Sequence, residues 1–373
     1  VRIAMVGSRG VPARYSGIER HIEELGARLA DAGHEVVVFC HGRSDERSYR
    51  GMHLRHLPII PTKHLETISH TTLSTAAVLR GFDIVHYHAI GPGLLAPVPR
   101  YLSKAAVVQT IHGRDGERDK WGRGAKAVLS LAEWASARVP NTTIVVSATL
   151  RDHYARRYGS STVFIPNGVI PPRAVQPSKL DRFGVEPHGY VLFVGRLVPE
   201  KAPHLLIDAY KRSTLTMPLL IVGGSAHTDA YVAELERQAD TDPRIHVVGP
   251  VYGEEVDALF GNAALFVSPS NLEAGAPITV LEAAAVGTPV LVSDIEPQRE
   301  LVTEDGPGAR LFSAGDESSL VAALERSLLD PDAERAAARA RIPSILAAYD
   351  WDMIAAQTID AYEQTLAGVR AAR

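Results

Sequence analysis

The chain has 373 residues, 46% hydrophobic and 22% charged, an ordinary globular balance and long enough for two domains. Its one cysteine, Cys40, excludes an intrachain disulfide, and no apolar run reaches the roughly 18 residues a spanning helix requires. The net charge of −4 conceals a division: residues 1–186 carry 25 Lys+Arg against 16 Asp+Glu, residues 187–373 only 14 against 27. That asymmetry fits two domains with different partners, although compositional drift on solvated faces gives the same figures.

The first predicted element is a strand, Ile3 to Val6, with no leader-like segment before it, which predicts a cytoplasmic protein or one held at the inner face of a membrane. The loop GSRGVPARYSG (7–17) follows. It is glycine-rich but lacks the G-x-G-x-x-G spacing of a dinucleotide site. Ser16 and Glu19 form a capping box, and Gly17 leaves backbone N–H groups open to a phosphate, with Arg9 and Arg14 nearby. A loop that needs glycines only for flexibility fits the same residues. Ile18, Ile22, Leu25 and Leu29 then trace one stripe of a helix that stops at Gly33. The next strand, Val36 to Cys40, ends on a thiol expected to be buried.

Further strands are predicted at 84–88, 106–111, 143–146 and 162–165. His86 and His88 share one strand face. No acidic or cysteine partner lies near them in sequence, so no metal is expected, and one of the pair facing a ligand is the better reading. The segment IHGRDGERDKWG (111–122) places His112, Arg114, Asp115, Arg118, Lys120 and Trp121 at a strand's carboxyl end, where a ligand sits. A solvated charge run is the plain alternative.

Prolines and glycines from Pro166 to Gly189 mark a linker at about 167–187, between domains over 1–170 and 188–349. Strands recur near 190–194, 219–222, 245–248, 264–268 and 289–293, and an amphipathic helix closes the chain from about Asp350 to Leu366. The expected fold is α/β, two consecutive doubly wound Rossmann-like domains, which on facing each other would enclose a cleft. Within GRLVPEK (195–201), Gly195 lets backbone approach an anion, Arg196 can fork onto two phosphate oxygens, and Lys201 adds a point charge. Alone, the segment also fits a plain strand-to-helix turn. In SPSNLEAGAPITVLEAAAVGTPVLVSD (268–294), Pro277 is expected at the first helical position and Glu282 about one and a half turns in. Glu273 falls in the loop before it, and Ala274-Gly275-Ala276 bare backbone N–H groups at the helix start. Helix capping is the other use for Glu273.

In this order and spacing the chain resembles the retaining glycosyltransferases of family 4, which have the GT-B fold of two facing Rossmann-like domains. The resemblance runs through the glycine loop, GHEVVVF (33–39), FDIVHYH (82–88), TIHG (110–113), IPNGV (165–169), GRLVPEK, LLIVGG (219–224) and the paired glutamates. It implies that Arg196 and Lys201 grip the donor diphosphate with backbone from Gly17, and that His112 touches the donor sugar. Glu273 would bind sugar hydroxyls, Glu282 the ribose, and the base would lie near Val251. Arg14, His88, Arg114, Asp115, Arg118 and Lys120 are the acceptor-side candidates. The last helix would cross back to the first domain. No metal and no cofactor beyond the nucleotide-diphosphate-sugar donor are implied, and no nucleic acid partner.

One departure stands out: eight residues separate Glu273 from Glu282 where the family has seven, so a bulge at Ala274-Gly275 is needed to restore the register. SRGVPARYSGIE (8–19) and HGRDGERDKW (112–121) look most like a bacterial subgroup that includes rhamnosyltransferases of surface-polysaccharide assembly. The acceptor implied is a saccharide or a lipid-linked one, and the basic first half suits an anionic acceptor or membrane surface. Two rivals are a GT-B sugar-nucleotide epimerase and, from another class, a dinucleotide-dependent oxidoreductase.

Overall fold

The computed structural model describes residues 1–372 apart from 14–16, 61, 63–64, 114–122, 171–175, 226–227, 274 and 276. The chain divides into two compact units, one of residues 1–168 with 351–373 and one of residues 169–350.

The first unit runs β1 (Arg2–Val6), α1 (Gly17–Asp31), β2 (Glu35–His41), β3 (Ser48–Tyr49), β4 (Met52–Leu57), α2 (Leu65–Ala77), β5 (Ile84–His88) and α3 (Ile90–Gly93). It continues with α4 (Pro97–Leu102), β6 (Ala106–Ile111), α5 (Arg123–Ser136), β7 (Thr142–Val145), α6 (Ala148–Tyr158) and β8 (Val163–Phe164). The sheet order is β3-β4-β2-β1-β5-β6-β7-β8, parallel except for the β3–β4 pair. Every residue of β5 and β6 is buried, as near-continuous apolar strands demand when helices cover both faces of a sheet. α1 sets Ile22, Leu25 and Leu29 into the core.

The second unit runs β9 (Val191–Val194), α7 (Pro203–Arg212), β10 (Leu219–Val222), α8 (Asp229–Ala239), β11 (Ile245–Gly249), α9 (Glu254–Asn262) and β12 (Leu265–Ser268). It continues with α10 (Ile278–Ala285), β13 (Val290–Ser293), α11 (Glu296–Arg299), β14 (Ala309–Phe312), α12 (Glu317–Ser327) and α13 (Pro331–Ala348). Its sheet, β11-β10-β9-β12-β13-β14, is parallel throughout. The final helix, α14 (Trp351–Ala371), packs on α1 and β6 of the first unit and buries Trp351, Ile354, Thr358, Tyr362 and Thr365.

Three strands escaped the sequence reading. β4, MHLRHL, alternates buried and exposed residues near a sheet edge instead of forming an apolar run, and β3 is its two-residue hairpin partner. β14 has only four residues, two of them polar or half-buried. The expected strand at 162–165 shrinks to Val163–Phe164, exposed at the other edge. The segment read as linker is more than a tether. Residues 177–183 form a 3-10 turn, and Val169, Leu180 and Val185 enter the core of the second unit.

Sheet order locates the sites. In the first unit the chain proceeds from β1 to β2 on one side and to β5 on the other, so the topological switch lies between β1 and β5. In the second it lies between β9 and β12. Ligands of doubly wound sheets bind outside the carboxyl ends of the strands at such a point. Glycine makes each crossing possible: a side chain on Gly7 (φ +114°) would stand 2.4 Å from the His88 carbonyl oxygen, and one on Gly223 would stand 1.8 Å from that of Gly195.

Candidate active site

In the second unit the loops after β9 and β12 are knit together by the Asn271 N–H, which donates to the Glu200 carbonyl at 2.9 Å. Gly195 and Leu197 extend the sheet by donating to Val222 and Gly224, each at 3.0 Å. Residues 199–201 then turn in a 3-10 segment before α7, with Ala202 at φ +49° as its N-cap. This path brings Lys201 to Glu273, whose Oε1 pairs with the Lys201 ammonium and also accepts from Ser270 Oγ at 2.7 Å. The side chains are 18% and 11% exposed, so the pair is sheltered yet reachable. Arg196 is half-buried in the same loop. Beneath lies a neutral network: Gln298 Nε2 donates to Ser268 Oγ at 2.7 Å, and Ser293 Oγ donates to Gln298 Oε1 at 2.9 Å. It fixes the ends of β12 and β13 without placing another charge near the ion pair.

α10 starts at Ile278, one residue later than expected, because Pro277 with ψ 128° is its N-cap and not its first helical residue. Glu282 is half-buried on this helix and Gly275 is buried in the loop before it. The Val251 side chain packs in the core at 6% exposure, so its backbone groups are what this loop can offer to a base lying near it. Ala274 and Ala276 lie outside the described residues, and with them the proposed bulge.

In the first unit a cluster of imidazoles occupies the carboxyl ends of β5 and β6. His88 Nδ1 lies 3.3 Å from His112 Nε2. The ring of His21, from α1, sits 4.7 Å from that of His112 and 5.5 Å from those of His88 and Trp351. His21 Nδ1 is 3.0 Å from Asn167 Oδ1. That oxygen only accepts, so the ring carries its proton on Nδ1 and leaves Nε2 bare. His86 is held on both sides, Nδ1 by the Tyr362 hydroxyl at 2.6 Å and Nε2 by Thr110 Oγ1 at 2.7 Å.

Burial strips these rings of charge. It lowers His21 to about 4, against a hydrogen bond to Asn167 that pulls the other way. Burial first, and then neighbouring imidazoles, lower His86 to about 3 and push His88 and His112 well below the ordinary histidine range. A neutral His112 can donate or accept one hydrogen bond, as a sugar hydroxyl requires, without adding charge.

His86 and His88, one of which was expected to face a ligand, have different surroundings. Both are fully buried; His86 is consumed by Tyr362 and Thr110, and His88 backs His112. The sequence neighbourhood held no partner for a metal, but the fold brings His21 and His112 to His88. His21 was missed although its place was legible: it falls three residues after Ile18 and four before Leu25, on the buried stripe itself. Asn167 lies within IPNGV and Ser270 within SPSNLEAGAP, but nothing in either segment marked the residue itself, and Gln298 carried no signal. Gly17 is exposed at the start of α1. Arg14, Arg114, Asp115, Arg118 and Lys120 lie outside the described residues.

Comparison with known proteins divides along the same line. The model described as Glycosyltransferase Family 4 matches residues 15–173, and that described as Glycosyl transferases group 1 matches residues 181–342. The chain is 28% identical over 411 aligned positions to the glycogen synthase of Mycobacterium tuberculosis (strain ATCC 25618 / H37Rv), covering 99% of this chain and 96% of the relative. It is 26% identical to the phosphatidyl-myo-inositol mannosyltransferase of Mycolicibacterium smegmatis, covering 93% and 90%. Among solved structures, sucrose-phosphate synthase from Thermosynechococcus elongatus superposes with a TM-score of 0.84 at 23% identity, over 98% and 99% of the two chains. Anabaena HepE in complex with UDP and glucose follows at 0.82 and 18%, over 97% and 99%.

Proposed function

The chain belongs to the retaining family 4 glycosyltransferases of the GT-B fold, hexosyltransferases that move a sugar from a nucleotide sugar to an acceptor, and we propose that its donor binds the second unit and its acceptor the first. The observation that carries this reading is the Lys201–Glu273 pair at the switch point of the second sheet. With no donor bound, each charge neutralises the other. A diphosphate arriving between Arg196 and Lys201 takes over the lysine, and Glu273 is released to accept hydrogen bonds from sugar hydroxyls. As the glycosidic bond breaks, negative charge grows on the departing diphosphate, and the two fixed cations stabilise it where it grows. Glu282 on α10 is assigned the ribose, and backbone at 251 and 275 the base and phosphate. His112 contributes a neutral hydrogen bond to the transferred sugar, with its ring positioned by His88. Two cations already meet the phosphates, so the reaction is assigned no metal.

For the acceptor we favour an anionic, lipid-linked or saccharide hydroxyl compound of surface-polysaccharide assembly, handled by a rhamnosyltransferase-like subgroup. The basic first half and the segments 8–19 and 112–121 support it. The M. smegmatis relative is named for an anionic lipid acceptor, phosphatidyl-myo-inositol.

The test is a screen of nucleotide sugars for thermal stabilisation, followed by nucleotide release in EDTA with and without lipid-linked saccharides. Release that depends on the acceptor and survives EDTA is the expected result. Turnover without any acceptor would indicate an epimerase, and activity that needs added Mg²⁺ or Mn²⁺ would overturn the metal-free assignment.

A further inference from the structure

The three imidazoles of His21, His88 and His112 each offer one nitrogen, and the three nitrogens lie within 4.8 Å of one another. Zinc binds imidazole nitrogen at about 2.0–2.1 Å, so two ligands of a tetrahedral ion stand about 3.3 Å apart. His88 Nδ1 and His112 Nε2 already have that separation. His21 Nε2 is buried and has no hydrogen-bond partner among the described residues; the His88 ring carries a second such nitrogen, Nε2. The Asn167 carbonyl oxygen holds the His21 proton on Nδ1, the outer-shell contact that orients a ligating histidine and leaves its other nitrogen bare. Nothing in the proposed transfer uses His21.

We propose that these residues form a three-histidine site for a borderline divalent ion such as Zn²⁺, with the fourth position open to water or an anion, and that occupancy inhibits the enzyme. Three neutral nitrogens suit Zn²⁺, Co²⁺ or Cu²⁺ and do not suit Mg²⁺, which takes oxygen ligands. No proton need leave the cluster, because the one shared between His88 and His112 moves to the far nitrogen of its own ring. His112 is half-buried, the least covered of the three residues. His112 is the one member with an assigned task in transfer, so an ion that captures it removes that hydrogen bond. The inhibitory consequence rests on the role given to His112 above; the binding site itself does not.

The test uses the full chain after treatment with EDTA. Calorimetric titration with Zn²⁺, and with Co²⁺ as a visible reporter of tetrahedral nitrogen ligation, should give one ion per chain, and Mg²⁺ no signal. His21→Gln should weaken binding more than 100-fold. Asn167→Ala, which leaves all three ligands in place, should weaken it about 10–100-fold. It also decides the matter should His21→Gln fail to fold by circular dichroism. Zn²⁺ should depress transfer in the wild type, EDTA should restore it, and His21→Gln should be far less sensitive. No saturable Zn²⁺ binding by the wild type, or Zn²⁺ affinity unchanged in both variants, would overturn the site and indicate surface histidines only. Binding that tracks His21 and Asn167 but leaves transfer untouched would uphold the site and remove the assignment of His112 instead.

Discussion

The two units share one architecture and solve the same problem, keeping polar groups buried at the carboxyl ends of central strands, with different chemistry. The second uses hydroxyls and an amide, Ser268, Ser270, Ser293 and Gln298, below a single sheltered ion pair. The first uses imidazoles: His21, His86, His88 and His112, with His70 buried on α2 against His41. Hydroxyl and amide networks do not titrate, so the second unit presents a fixed electrostatic field to its ligand at any physiological pH. The first unit's polar ends are neutral only while the rings stay unprotonated. On the proposed assignment, fixed charge lies where the diphosphate would leave, and neutral hydrogen bonding where sugar hydroxyls would be held.

The comparison is broken most severely by removing the fixed cations. Lys201→Ala and Arg196→Ala should each lower kcat by roughly 10²–10³ with the fold intact, because the lost interaction is strongest in the transition state. Near-normal kcat in Lys201→Ala would strip the second unit of its role. Glu273→Gln should follow. It keeps the shape, replaces an acceptor-only carboxylate with an amide, and should cut donor use about 10²-fold, with no rescue by Ala274→Glu. A silent Glu273→Gln would mean that the first-glutamate role lies one residue on.

Acid should separate the units. His21 sits at about 4 and His70 and His86 at about 3, each lowered chiefly by burial, while in the unfolded chain they titrate near the ordinary value of 6.5. Between those limits the unfolded state binds more protons, so their contribution is complete above about 6.5 and is lost as pH falls toward 4. At pH 5 the loss is on the order of 1–2 kcal/mol for each such ring in the metal-free protein. All three tryptophans, Trp121, Trp134 and Trp351, belong to the first unit, so their fluorescence reports it alone. Its urea midpoint should drop between pH 7 and 5 by more than the midpoint of slow-exchanging amides in β9–β13. Equal drops would deny the imidazoles their role.

The smallest effect concerns the charge division. Acceptor KM should rise several-fold as salt goes from about 50 to 500 mM, while donor affinity changes less, since exposed charges are screened within roughly 8 Å and sheltered ones are not. Salt-independent kinetics would reduce the asymmetry to composition.

How much of this was legible follows from what each residue type announces. Apolar runs announced β1, β2, β5, β6 and the five main strands of the second unit. β4 was hidden because a strand next to the sheet edge alternates, and β14 because four residues are too few to form a pattern. Arg196, Lys201 and Glu273 were legible as candidates because they are charged residues in glycine-containing loops that follow strands. That Lys201 and Glu273 pair with each other was not legible, since 72 residues separate them and it takes the β9–β12 pairing and the Asn271–Glu200 bond to bring their loops together. His21 lay in plain view on the α1 stripe, but a histidine there reads as helix surface until β5 and β6 deliver His88 and His112 to it.

On the proposed function, the nucleotide-bearing donor belongs to the second unit and depends on its fixed charge. Titration of nucleoside diphosphates into the wild type, Lys201→Ala and His112→Ala tests this most directly. Binding should be at least tenfold weaker in Lys201→Ala and unchanged in His112→Ala. The reverse pattern, diphosphate affinity lost with His112 and kept without Lys201, would contradict it.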